Sequence, residues 1–253
     1  MLNIIYRICD HRNGGTKIPQ VNKRQCFLNF IEVFGVDDLT VVADNTSQGT
    51  IDFLSRHVGI IKRTNLGNSG SFLYTMELAF QYHDDQLVYL VEDDYLHLPK
   101  SRQCLLEGLQ HADYVSLYDH ADKYMQRSPN PLVKDGGENT KVILTATTHW
   151  KYTNSTTMTF AAKVGTLKAD QTVFRDHCKD TIPRDYFLFR ALAQHGRTVI
   201  TPIPGCSTHC DEYPSPFIFN SAFPFKKDQA QPESYEITTR KALHDRPAEC
   251  IRN

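Results

Sequence analysis

The sequence predicts an α/β protein built on a mainly parallel sheet flanked by helices. Three observations carry that reading. Short apolar runs alternate with helical patterns over the first 120 residues, the rhythm of strand–helix–strand units. The run 87–91 (LVYLV) is almost wholly apolar, as expected of a strand covered on both faces. Four strand-like runs end in acids, at Asp10, Asp44, the triplet Glu92-Asp93-Asp94 and Asp119. In such sheets ligands bind beyond the carboxyl ends of the strands.

In chain order, Leu2–Cys9 reads as a strand leading into Asp10-His11-Arg12 and a glycine loop. Residues 24–34 place Phe27, Leu28, Ile31 and Phe34 on one helical face, with Gly35 as the stop. A second strand at 39–43, a helix at 50–57 and a brief strand at 59–62 follow. The turn 65–71 (NLGNSGS) opens a helix over 72–82. After the strand at 87–91 come a helix at 101–111 and a strand at 114–117. The polar stretch 123–139, rich in Pro and Gly, reads as a long loop. Strands at 142–146 and 157–162 flank His149-Trp150-Lys151, and helices over 168–177 and 185–195 precede a late strand at 198–203. Residues 211–253 read as an irregular wrap or lid with a short terminal helix.

Composition excludes some partners. The chain has 28 Lys and Arg against 29 Asp and Glu, a net charge of −1. That balance argues against a nucleic-acid binder, which needs uncompensated cations to displace counterions. No apolar run approaches the ~18–20 residues of a membrane span, and nothing near the start resembles a leader cleavage region. Seven scattered cysteines, an odd number, fit reduced thiols better than a disulfide framework. A cytoplasmic protein is expected.

The triplet Glu92-Asp93-Asp94 is the strongest chemical signal. Consecutive acids beyond a buried strand are costly to desolvate unless a cation compensates, and hard carboxylate oxygens suit Mg²⁺ or Mn²⁺. The competing reading is a solvated turn. His209, in the segment CSTHC at 206–210, would be a nitrogen ligand to the same ion. Its rivals are a structural zinc cluster with Cys206 and Cys210 and a buried hydrogen-bonded histidine. Asn65 and Gly67 belong to a helix start of the kind that receives phosphate, although many helices begin this way. Asp185 opens a helical pattern, where an acid is either a cap or a general base. Trp150, the only tryptophan, is either a sugar platform or a core residue. Asp119 completes the row of strand-end acids on the acceptor side.

In this order, these features resemble a GT-A-type nucleotide-sugar glycosyltransferase, with its Rossmann-type nucleotide half and a D-x-D-like acidic motif. The segment Leu90-Val91-Glu92-Asp93-Asp94 and the later Thr157-Met158-Thr159-Phe160 resemble the inverting N-acetylglucosaminyltransferase I type. Asn65-Leu66-Gly67 and Arg184-Asp185-Tyr186 resemble the large family-2-like inverting group. The resemblance implies a single domain over 1–253, with a nucleotide-sugar half at 1–120, an acceptor half at 121–210 and a wrap or lid at 211–253. It implies Asp44 on the nucleobase, Asp10 or Arg12 lining that pocket, Asp93 on the ribose and Glu92 close to sugar or ribose. Asp94 and His209 would hold Mn²⁺ or Mg²⁺, and Asp185 would be the base. The implied activity is metal-dependent transfer from a UDP or GDP sugar to a glycan or other hydroxyl acceptor, in glycan biosynthesis, by this chain or as one module of a larger enzyme. The alternatives are a sugar-1-phosphate nucleotidyltransferase, which would carry a better glycine- and arginine-rich loop than Asn13-Gly14-Gly15-Thr16-Lys17, and a non-catalytic nucleotide-sugar-binding module.

Overall fold

The run LNIIYRIC is buried on both sides along most of its length and forms β1 (Leu2–Cys9), the central strand. The structure, a computed structural model, describes residues 1–10, 21–124 and 140–210, all within one unit, Met1–Phe223. Arg12 and the expected wrap at 211–253 lie outside the described residues. β1 pairs in parallel with β2 (Leu39–Asp44) on one side and β4 (Leu87–Glu92) on the other, and β3 (Ile61–Thr64) continues beyond β2. The described sheet has nine strands in the order β3-β2-β1-β4-β9-β6-β10-β8-β7. Its further strands are β6 (Tyr114–Val115), β7 (Val142–Leu144), β8 (His149–Tyr152), β9 (Phe160–Lys163) and β10 (Val199–Ile203). The pairings leave β8 and β9 running against the rest. The mainly parallel α/β expectation therefore describes the molecule.

Alternation along the strands sends side chains to two helical layers. Ile4, Tyr6 and Ile8 meet Phe27, Phe30 and Phe34 of α1 (Lys23–Phe34), with α2 (Gln48–Leu54) and α4 (Ser101–Gly108) on the same face. Ile5, Val42, Val88 and Leu90 meet α3 (Gly67–Ala79), α5 (Val164–Ala169), α6 (Gln171–His177) and α7 (Asp185–Gln194) on the other. The chain steps outward from β1 to β3, and α3 then returns it to β4 on the far side of β1. This reversal is the topological switch point, where such sheets open a crevice at their carboxyl edge.

Four local expectations are corrected. Residues 149–152 are a strand rather than a link between strands. The single helix expected over 168–177 is two, meeting at Asp170. The buried Asp170 carboxylate accepts from Tyr114 Oη at 2.6 Å and Arg197 Nε at 2.7 Å, an anchor that fixes the break. A 3-10 turn, Ala121–Tyr124, stands where the loop was to begin. A small antiparallel pair, β5 (Tyr95–His97) and β11 (Ser207–His209), was not expected at all. Among the described residues no helix is long and apolar enough to cross a membrane.

Candidate functional site

At the switch point the register sets Arg7 of β1 opposite Glu92 of β4. Arg7 faces the α3 side with Ile5, and its guanidinium reaches Glu92 Oε1 at 2.7 Å, Asn68 O at 2.9 Å and Ser71 Oγ at 3.2 Å. The next residues turn the other way. Asp93 accepts from the Cys9 amide at 2.8 Å and pairs with Lys23 Nζ at 2.8 Å, tying the end of β4 to β1 and to the first turn of α1. Burial pushes the Glu92 and Asp93 carboxyls above their ordinary range. Arg7 opposes this at Glu92 and Lys23 at Asp93, while the neighbouring Asp94 charge adds to both shifts. Beside these pairs lies a cleft of about 320 Å³, lined among others by Asp10, Lys23, Arg24, Thr50, Asp93 and Asp94. That volume is at the lower end for small-molecule sites.

The β5–β11 pair explains how a histidine more than a hundred residues away joins the acids. β5 follows the triplet directly, and its register with β11 sets His209 opposite Tyr95. The Tyr95 and His209 rings stack at 4.9 Å, the Cys210 amide donates to Asp94 O at 2.7 Å, and His209 Nε2 stands 3.2 Å from Asp94 Oδ2. On its other side β11 meets the end of β6, where Cys206 and Ser207 amides donate to Leu117 O and the Tyr118 ring lies 5.9 Å from His209. Thr157 and Thr159 close the back of the site, through Tyr95 Oη–Thr157 Oγ1 at 2.7 Å and the Glu92 amide–Thr159 Oγ1 at 3.0 Å.

Asp94 and His209 thus stand side by side. Among the described residues, however, no three His, Cys, Asp or Glu side chains are gathered closely enough to hold a metal. A carboxylate with one further ligand suits Mg²⁺ or Mn²⁺ when substrate phosphates and water complete the shell, and the residues fit such an ion in that shared form. The zinc cluster does not form. Cys206 and Cys210 instead face Cys104 at 3.3 Å and Cys26 at 3.9 Å, sulfur to sulfur.

The remaining expected residues divide. Asp10 accepts from the Ser47 amide at 2.6 Å and Thr50 Oγ1 at 2.7 Å at the cleft wall. Partial burial works against its charge, but these bonds hold it below the ordinary carboxylate range. Asp44, expected on a nucleobase, is buried and accepts from Asn45 Nδ2, Thr64 Oγ1, Leu66 N and Gly67 N, locking the β3–α3 connection. Gly67 carries φ +73°, which a side chain rarely adopts, and its amide is turned to Asp44. The Ser69 amide is donated to Thr181 O, and Asn65 is exposed beside them. Asp119 is buried with Lys151 Nζ at 2.8 Å and accepts from Tyr124 Oη. Asp185 heads α7, and burial raises its carboxyl; His120 and His209 both lie within its electrostatic reach. Trp150 is corrected outright as a sugar platform. It is fully buried in β8, its Nε1 donates to Thr145 Oγ1 at 2.9 Å, and its ring leaves no room for a Cβ at Gly108.

Sequence reasoning missed Arg7, Lys23 and the segment His120–Asp122. Arg7 is a charge inside an otherwise apolar strand, which is a readable signal. Lys23 directly follows the N-cap Asn22, whose capping box with Gln25 sets the helix start at the cleft.

No family model and no curated protein matches the sequence. Similar solved structures do exist. One is CMP:2-keto-3-deoxy-manno-octonic acid synthetase complexed with CTP, at 12% identity and TM-score 0.47 over 81% of this chain and 92% of that one. A nucleotidyl transferase from Methanothermobacter gives 11% and 0.44 over 79% and 86%. The inositol-1-phosphate CTP transferase from T. maritima gives 12% and 0.38 over 79% and 84%. These are nucleotidyltransferases, and on that finding the assignment to GT-A-type glycosyltransferases, with glycosyl transfer as the activity, is corrected. At TM-scores below 0.5 these likenesses carry no argument about this chain, so its chemistry has to be argued from its own residues.

Proposed function

We propose that the chain binds a nucleoside triphosphate with a divalent ion and transfers its nucleotidyl group to an oxygen acceptor. One observation carries the reading: the cleft at the β1–β4 switch point combines the first turn of α1, with Lys23 and Arg24, and the Asp93-Asp94 end of β4. Cations and exposed helix-start amides favour phosphate oxygens. Asp94 and His209 would hold Mg²⁺ or Mn²⁺, which when bound neutralises charge building on the departing pyrophosphate. Lys23 and Asp93 orient the nucleotide, and Asp10 and Thr50 form the opposite wall.

The similar structures include enzymes named for CTP, so CTP is the first probe. Calorimetry with CTP, UTP, ATP and GTP, with and without Mg²⁺ or Mn²⁺, should find metal-dependent binding of at least one. Asp94→Asn should weaken it about tenfold or more, or roughly 1.4 kcal/mol. Absence of binding by all four nucleotides in the presence of metal would overturn the reading.

A further inference from the structure

The 3-10 turn after β6 carries an oriented histidine that the cleft chemistry leaves unused. His120 Nδ1 lies 2.7 Å from Asp122 Oδ1. Asp122 is 7% exposed at its side chain and His120 28%, so the carboxylate is sheltered and the imidazole reaches solvent. Burial works against the Asp122 charge, yet His120, Lys123 and Lys151 together hold it below the ordinary carboxylate range. An ionised carboxylate at this distance accepts a hydrogen bond from Nδ1–H, closer than the Asp122 amide, which stands 3.2 Å from the same nitrogen. That leaves Nε2 as a lone-pair acceptor, the arrangement of an oriented general base.

Position joins this pair to the site. The Tyr118 ring touches both histidines, with centroids 5.0 Å from His120 and 5.9 Å from His209. Each histidine therefore has a carboxylate partner, and one tyrosine separates them. Asp185 lies within electrostatic reach of both.

We infer that His120, oriented by Asp122, is the catalytic base for a hydroxyl acceptor; this rests on the nucleotidyl-transfer reading above. The acceptor's O–H bond breaks and its proton passes to His120 Nε2. Its oxygen bonds to the α-phosphorus of the nucleotide, and the bond from that phosphorus to the bridging oxygen breaks, its electron pair leaving with pyrophosphate. His120 then returns the proton to solvent. Asp122 is a positioning residue that keeps its charge throughout.

The surroundings specify the acceptor class. Among the described residues the acids on this side are Asp119, buried against Lys151, Asp122, sheltered beside His120, and the partly buried Asp185. Lys151 is held by Asp119 at 2.8 Å, and Lys123 by Asn154 and Ser155 at 2.7 and 2.8 Å. A phosphate acceptor is already ionised and needs no base, whereas a sugar or sugar acid attacking through a hydroxyl does.

The experiment uses the whole chain and diethyl pyrocarbonate, which acylates an accessible neutral imidazole, with sites mapped by mass spectrometry. His120 should react at neutral pH, and CTP with Mg²⁺ should slow it several-fold. Asp122→Asn should slow it as well and shift the ¹⁵N signature of the ring from the Nδ1–H tautomer toward a mixture, which a merely structural role would leave unchanged. His120→Gln should keep nucleotide binding by calorimetry within about twofold. It should lose about 10²-fold or more of the pyrophosphate released with unphosphorylated sugars and sugar acids, as expected for loss of a general base. An unreactive or unprotected His120 in a chain that binds CTP, or release only with sugar phosphates, overturns this inference alone. Absence of nucleotide binding overturns the proposed function first.

Discussion

The two halves of the sheet hold their charges in different ways. In the parallel half, the ion pairs cross between elements distant in sequence: Arg7 to Glu92, Lys23 to Asp93, and His209 to Asp94. In the other half, His120–Asp122 is local, Lys151–Asp119 joins β8 to the end of β6, and Arg197 holds Asp113 and Asp170 away from the site. The first half builds its cleft by tertiary closure, so the proposed nucleotide binding and folding share the same contacts. The second places the proposed base and its positioning acid within three residues, over a core that contains the fully buried Trp150 and the Asp170 anchor.

That contrast can be broken by measurement. The largest effect is expected from Trp150→Ala, which empties a fully buried site against Gly108 and should cost ~3–5 kcal/mol in urea unfolding. Nucleotide affinity of the folded fraction should stay unchanged; a parallel loss would show that the halves are not separable. Arg7→Met should destabilise less, by about 2 kcal/mol, because Glu92 retains 24% exposure at its side chain. It should weaken nucleotide binding as well, and Arg7→Met with Glu92→Gln should recover part of the stability in a double-mutant cycle.

Acid provides a finer probe of the parallel half. His97, enclosed by Phe30, Phe34 and Tyr89, is pushed down by burial from 6.5 to about 3. Between those values the unfolded chain takes up a proton that the folded chain refuses. Stability should therefore fall as pH drops through this window, by up to about 1.4 kcal/mol per unit. Denaturation curves at several pH values should show a shallower slope for His97→Gln. The smallest effect belongs to Asn22→Ala, which removes the α1 capping box for about 1 kcal/mol. Thermal unfolding reads that cost, and calorimetry would report any loosening of Lys23 at the cleft.

Legibility in the sequence follows the same division. The parallel half was readable because buried strands are continuous apolar runs, and their carboxyl ends announce themselves as Asp10, Asp44 and the triplet. Its mainly parallel α/β architecture matches the expectation. The second half was less so. Residues 149–152 alternate polar and aromatic types, and nothing in that pattern tells a buried tryptophan from an exposed one. β5 and β11 are three residues each, too short for periodicity to register. Arg7 and Lys23 were passed over because a cation's partner is set by register and helix docking, neither of which a one-dimensional pattern contains. Asp44 shows the reverse error: a strand-end acid looks available for a ligand until the loop that it ties down is seen.

The Asp44 lock has a consequence for hydrogen exchange. Leu66 is 52% exposed, yet its amide is held at 2.7 Å by Asp44 Oδ1, and the Gly67 amide is held at 3.1 Å by Oδ2. Both amides should exchange with deuterium as slowly as those of a buried strand, although they sit on the surface. The platform at the head of α3 is then set before any ligand arrives, and binding near it has no loop to order.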